Sequence, residues 1–235
     1  MATVRQTAGE RASTLARLRA SMRRTERTEE SPLASEAGPL DRALGPGWRA
    51  GGTTELCGPG AAALTLAAWL AARAEPGRIL LIDPEGTAHP AAFEAIGLKP
   101  ARLVLVRPAD RWLALWAAEQ ALRCPGVAVT LCRLGPRLGT VVPRRLKLAA
   151  EAGGGMGLFV RPAAREPPFS DVRLVVRPVP SEGKDTLRPR LEVEAVYQRG
   201  GTEGVRCVVE LSADARLVSV PAAVARPAGP RLRIG

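Results

Sequence analysis

The chain has 235 residues, 46% of them hydrophobic and 24% charged, with a formal net charge of +11. That suits one globular domain with a small appendage and is too apolar for wholesale disorder. Its longest apolar run, Ala61–Ala72, falls well short of the ~20 residues of a membrane span, the arginine-rich start lacks the apolar stretch of a secretory signal, and the single histidine, His89, leaves neither a histidine metal cluster nor a Ser-His-Asp triad.

Residues 9–29 read as a helix, with Leu15, Leu18 and Met22 at i, i+3 and i+7 and an arginine-rich opposite face. This element is a candidate partner-binding surface, with Leu15, Leu18, Met22 and Arg23 as its contacts. Residues 30–52 are punctuated by Pro and Gly, with a short helical turn near Asp41–Leu44. A regular alternation then begins. Thr53–Cys57 predicts a strand, Gly58-Pro59-Gly60 a turn, and Ala61–Ala74 an Ala/Leu-rich helix ended by Pro76-Gly77. Arg78–Asp83 predicts a strand buried on both faces. It is followed by a helix over Pro90–Ile96, a strand over Leu103–Val106 and a helix over Arg111–Leu122. In that last helix Trp112 and Trp116 lie one turn apart, and the spacing places both in the core. Val127–Leu131 predicts a strand, Pro143–Ala152 a helix and Met156–Val160 a strand. Strands alternating with helices mean a mostly parallel β-sheet flanked by helices.

The pattern then changes. Val172–Arg177, Arg190–Tyr197 and Val205–Leu211 alternate apolar and polar residues, with a turn at Arg199-Gly200-Gly201. This predicts a C-terminal antiparallel β extension, followed by a loose Ala/Pro/Arg-rich stretch over 220–235. The expected division is a basic N-terminal helix and linker over 1–35, an α/β core over 36–178, and a hairpin with tail over 179–235. Arg199, at the turn, is a further candidate partner contact. Cys57, Cys124, Cys132 and Cys207 form no CxxC pair, which argues against a zinc ribbon or a disulfide scaffold and makes a reducing cytoplasm the expected setting.

The charge is uneven. Residues 99–150 hold ten Lys/Arg against Asp110 and Glu119, a net of +8, whereas residues 31–98 hold four arginines against seven acids, a net of −3. Such a block points to an anionic partner such as DNA, and Arg133, Arg137, Arg144, Arg145 and Lys147 form the candidate patch. A solvated helix face is the other reading of the same run. Only eight residues are aromatic, which argues against a base-stacking platform.

The most informative stretch is Gly58-Pro59-Gly60-Ala61-Ala62-Ala63-Leu64-Thr65. It stands where a phosphate-binding GxxxxGK[ST] loop belongs, between a first strand and its helix. Gly58 and Thr65 match, but Ala63 replaces the second glycine and Leu64 the lysine that grips the β- and γ-phosphates. The aspartate expected at the end of a central strand, where it would hold magnesium, is Cys132. These two losses predict no nucleotide hydrolysis, no cofactor and no metal. A plain strand-to-helix turn at Gly58–Gly60 explains the same residues. Glu85, after the second strand, reads either as a relic water-activating base or as a loop acid bound to nearby backbone.

In their order, Thr54-Glu55-Leu56-Cys57-Gly58-Pro59, Leu81-Ile82-Asp83-Pro84-Glu85 and Val127–Cys132 resemble the core of RecA recombinases. Leu115–Leu122, Arg144–Ala152, Leu158–Pro162, Leu40-Asp41 ahead of Gly51–Leu56, and the segment around Gln198–Gly201 resemble more closely the ImuA-like accessory proteins of the bacterial damage-inducible mutasome. The resemblance spans roughly residues 33–202. It implies a RecA-like fold and a non-catalytic role in SOS translesion synthesis and mutagenesis, through contacts with RecA, with an ImuB-like relative of the Y-family polymerases, and with DNA. It implies neither a membrane nor a small-molecule substrate. Degraded nucleotide motifs are usual in that family, which agrees with Ala63, Leu64 and Cys132. The segments in the place of RecA's DNA-facing loops are Leu134–Val142, which is short and carries Arg137, and Ala163–Asp171, which carries Arg165 but also Glu166 and Asp171. A SulA-type inhibitor of cell division and a residual NTPase using Glu85 are the alternative readings.

Overall fold

A computed structural model describes residues 38–44, 49–74, 76–162, 166–180, 189–199, 204–212 and 216–220. The helix expected over 9–29, with Leu15, Leu18, Met22 and Arg23, lies outside the described residues, as do Arg165, Gly200, Gly201 and the chain after Val220.

In chain order the elements are α1 (Gly38–Leu44), β1 (Thr53–Cys57), α2 (Ala62–Arg73), β2 (Arg78–Ile82), α3 (Pro90–Ala95), a single 3₁₀ turn at Pro100–Arg102, β3 (Leu103–Val106), α4 (Arg111–Arg123), β4 (Val127–Arg133), α5 (Val141–Gly153), β5 (Met156–Arg161), β6 (Val172–Val179), β7 (Arg190–Gln198), β8 (Arg206–Leu211) and β9 (Leu217–Val220). The nine strands make one sheet in the order β3-β2-β4-β5-β1-β6-β7-β8-β9. The six from β3 to β6 are parallel, and β7, β8 and β9 continue as an antiparallel meander. The same sheet therefore runs through the mostly parallel core and its C-terminal extension, and β9 adds a strand where the sequence offered no alternating pattern.

The central strands are apolar on both sides because both faces are covered. On one face, Leu56, Leu131, Leu158, Leu174 and Val193 pack with α1, α2 and α3. On the other, Ile82, Cys132 and Phe159 pack with α4 and α5. Helix α2 is buried all round, as its sequence AALTLAAWLAAR requires. Its alanines let it lie close to the sheet, and Trp69, 1% exposed, takes the guanidinium of Arg73 over its ring at 3.7 Å. Helix α1 is held to β7 by Gln198, whose amide donates to the carbonyls of Arg42 and Ala43 at 3.0 Å. That satisfies carbonyls that the helix end leaves unpaired.

Helix α4 starts at Asp110, whose carboxylate accepts the Leu113 N–H at 2.9 Å. Helix α5 runs past the expected Ala152 to Gly153 and closes on Gly154 in the left-handed region, φ 76°. At Gly153 a Cβ would stand 1.9 Å from the Leu122 carbonyl oxygen, so glycine here is a requirement of the α4–α5 approach. Trp112 and Trp116 are not in the core: they are 76% and 59% exposed. The helix carries two apolar stripes, and the sheet and α5 take the one built from Ala114, Leu115, Ala118, Ala121 and Leu122.

Candidate functional site

The expected phosphate loop follows β1 at the carboxyl edge of the sheet. Gly58 is demanded there by backbone packing: a Cβ would meet the Val176 carbonyl oxygen of β6 at 2.0 Å. Gly60 turns the chain with φ 61°. The helix then begins at once. Thr65 N–H donates to the Ala61 carbonyl at 2.8 Å, and α2 starts at Ala62. Ala63 is helical and fully buried, a backbone conformation in which its Cβ carries no strain. Leu64, at the lysine position, is 8% exposed and belongs to the core under the sheet. Thr65 is half-buried.

The second half of the site lies two and three strands away, on β4 and β2, about 10–14 Å by strand spacing. Cys132 is fully buried among α4 and α5, on the sheet face opposite α2, and burial pushes its thiol up to about 12. The side chain that does project from the end of β4 is Arg133. Its guanidinium donates to Glu85 at 2.6 Å and to the Thr87 hydroxyl, and lies 3.8 Å from Asp83. Asp83 is fully buried, with one oxygen accepting the Ala88 N–H at 2.7 Å. Glu85 thus points at an arginine.

Sequence reasoning passed over the dominant electrostatic feature. Glu55, in the middle of the fully buried β1, accepts from two arginines on the flanking strands. Arg161 of β5 reaches it at 2.8 Å, and Arg173 of β6 holds both its oxygens at 3.0 Å. Arg161, also fully buried, spends its remaining donors on the carbonyls of Gly135 and Pro136 and on Glu166 at 2.6 Å. Arg173 adds the carbonyls of Glu166 and Pro167. Glu166 in turn accepts the Leu138 N–H at 2.7 Å. Burial works against the charge of Glu166, but the Arg161 contact and the Leu138 N–H outweigh it and lower its pKa. The two segments in the place of DNA-facing loops are therefore laced to each other and to the sheet. The available signal was one acid inside an apolar strand, which folding tolerates only with partners.

The basic patch is divided. Arg133 is held by Glu85, Arg145 by Glu119 at 2.5 Å, and Lys147 by Asp171 at 2.9 Å. Arg137 and Arg144 are exposed and have no carboxylate partner among the described residues. Elsewhere in the +8 block, Arg102 caps the end of α2 through the carbonyls of Ala72, Ala74 and Gly77, Arg107 donates to the Ala88 carbonyl, and Arg123 pairs with Glu119. Lys147 meets Arg199 at the amino end of β1, where both reach Asp171, the second at 3.4 Å. Asp171 also accepts from the Thr53 N–H and hydroxyl. Burial raises its pKa, but Lys147 and Thr53 more than offset that, and the net shift is downward.

The strand order, with the first strand turning directly into a helix packed under the sheet, defines a RecA-like α/β fold. Among solved structures the chain is similar to that described as the RadB recombinase: the TM-score is 0.65 and the identity 16%, over 80% of this chain and 100% of that one. No family model matches the sequence, and no curated protein matches it. A RecA-like fold implies a nucleoside triphosphate and its magnesium. The residues at the loop do not supply the donors for them: the lysine position is a core leucine, the backbone is already helical, and the carboxylates at the end of β2 face Arg133.

The described helices include none long and apolar enough to cross a membrane, and no cluster of metal-ligating residues occurs among the described residues.

Proposed function

We propose that this protein is a non-catalytic RecA-like adaptor of DNA-damage tolerance, of the ImuA-like kind. It joins RecA and an ImuB-like partner at damaged DNA during SOS-induced translesion synthesis and takes no nucleotide through a cycle. The observation that carries this reading is Leu64. A triphosphate needs a cation and free backbone N–H groups at that turn; the chain puts an isobutyl group into the core and closes the helix over it. The Arg133–Glu85 pair supports the same reading, because a general base must be free to accept a proton from water. The sequence resemblance supplies the partners. Arg137 and Arg144, exposed and without a carboxylate partner among the described residues, are the groups that would meet a nucleic-acid backbone.

The test is calorimetry with ATP and magnesium. No heat of binding is the expected result, and a micromolar Kd overturns the reading. Co-purification from damaged cells then separates the partners: RecA and an ImuB-like protein are expected, and a tubulin-like division protein in their place favours the SulA-type alternative.

A further inference from the structure

Eight large apolar side chains among the described residues are substantially exposed, and five of them sit on just two neighbouring helices: Trp112, Leu113 and Trp116 on α4, Val141 and Leu148 on α5. Singly exposed apolar residues need no explanation, but Trp112 and Trp116 stand one turn apart beside the same groove. The two helices touch near their ends, where Gly153 meets the Leu122 carbonyl. Toward their first halves a cavity of about 190 Å³ opens between them. Leu115, Val142 and Leu146 line it, and Trp112 and Trp116 flank it. With Lys147 taken by Asp171, Arg111, Arg123, Arg144 and Arg145 stand against Glu119 and Glu151, which leaves the two helices a net charge of +2. Glu119, the acid inside the groove, is already spent on Arg123 and Arg145.

We infer that the groove between α4 and α5 docks an amphipathic helix of a partner protein, with acidic residues flanking its apolar stripe. A largely apolar groove between two helices is matched by a third helix presenting side chains at i, i+3 or i+4, and i+7. Trp and Arg are the residues that carry most binding energy at such surfaces, and here they stand together. The net positive charge of the two helices selects an acidic partner by complementarity and rejects a basic one. The chain's own first thirty residues, with seven arginines against four glutamates for a net of +3, are the wrong charge to fill it. The inference deepens the adaptor reading and rests on it, yet the two fail separately: nucleotide calorimetry decides that reading, and the selection below decides this one.

The experiment is selection of a displayed library of single-helix peptides, randomised in both apolar and charged positions, on the full chain. Enriched peptides should carry a surplus of Asp and Glu beside a helical apolar stripe. Their affinity, read by anisotropy, should fall at least about tenfold in the Trp112→Ala/Trp116→Ala double variant. Both indoles are exposed, so that variant should keep its unfolding midpoint. If it melts early, Arg145→Glu, at an arginine that lines the groove, tests the same site by weakening acidic peptides and strengthening basic ones. No enrichment, enrichment of basic peptides, or binding untouched by these substitutions overturns the inference. So does tryptophan-dependent self-association in sedimentation, which makes a second copy the occupant, or tryptophan-dependent binding of oligo-dT, which makes it nucleic acid.

Discussion

Arg133 and Glu85 face each other across the carboxyl ends of two adjacent parallel strands, charged atoms 2.6 Å apart, at the edge where doubly wound sheets keep their chemistry. Glu85 is 59% exposed and Arg133 22%, so the pair is a surface bridge worth about 0–1 kcal/mol. Glu85→Gln is accordingly expected to leave the unfolding midpoint nearly unchanged and phosphate release at its baseline. Phosphate release by the parent chain that disappears in Glu85→Gln would restore a catalytic role to this carboxylate.

Putting the lysine back should not bring back a nucleotide. In Ala63→Gly/Leu64→Lys the new ammonium enters a position 8% exposed inside the main core. The expected result is a loss of about 2–5 kcal/mol in denaturant unfolding, from lost apolar packing and a desolvated charge, with no ATP binding by calorimetry. A stable variant that binds ATP would mean that the turn after β1 opens readily.

Glu55 balances two arginines that have no water to turn to. Removing it by Glu55→Gln leaves Arg173, nearly buried, without its carboxylate and Arg161, fully buried, with Glu166 alone. Breaking a buried pair by deleting one partner costs about 3–5 kcal/mol. Urea unfolding should show a loss of that order, and trypsin should cut faster near Gly135–Leu138 and Glu166–Phe169, the loops the cluster laces. An unchanged midpoint would show that water reaches the guanidinium groups.

Asp171 sets a pH dependence. Its folded pKa is depressed below the ordinary 3.8, because the bonds from Lys147 and Thr53 outweigh burial. Its stabilisation is therefore present above about pH 4 and is lost as pH falls through the depressed value. Lys147→Met should flatten the acid limb of the stability curve and raise the Asp171 titration midpoint seen by carboxylate NMR. A midpoint that stays put would assign the shift to the remaining partners, Thr53 and Arg199.

If DNA is touched directly, the groups that meet it are Arg137 and Arg144, the two arginines of the patch without a carboxylate partner among the described residues. Arg137→Ala/Arg144→Ala should lower the salt slope of single-strand binding by about 1.4, or about 0.7 for each phosphate no longer neutralised. Arg145→Ala, whose cation is already spent on Glu119, should change it much less. Equal effects at all three positions would contradict the division of the patch.

The helices and parallel strands were legible because each is written in local terms. Burial on both faces of β2 appears as the unbroken apolar run Ile79-Leu80-Leu81-Ile82, and the start of α4 carries its own cap in Asp110. The indoles of Trp112 and Trp116 were misplaced because periodicity marks an apolar stripe without saying which of two stripes meets the sheet. The Glu55 cluster was missed because Glu55 lies more than a hundred residues from both Arg161 and Arg173, and they meet only when β5 and β6 flank β1. Strand β9 has four residues and no pattern of its own until β8 offers an edge.

Sequence by itself determined the order of strands and helices and the loss of the lysine at position 64, since both depend on which side chain stands where along the chain. Tertiary structure alone decided that Leu64 turns into the core, that Glu85 is answered by Arg133, that most of the basic block is spent on carboxylates and carbonyls, and that two tryptophans stay in water. Those outcomes depend on which distant groups arrive beside one another, and charge and burial are properties of the neighbourhood.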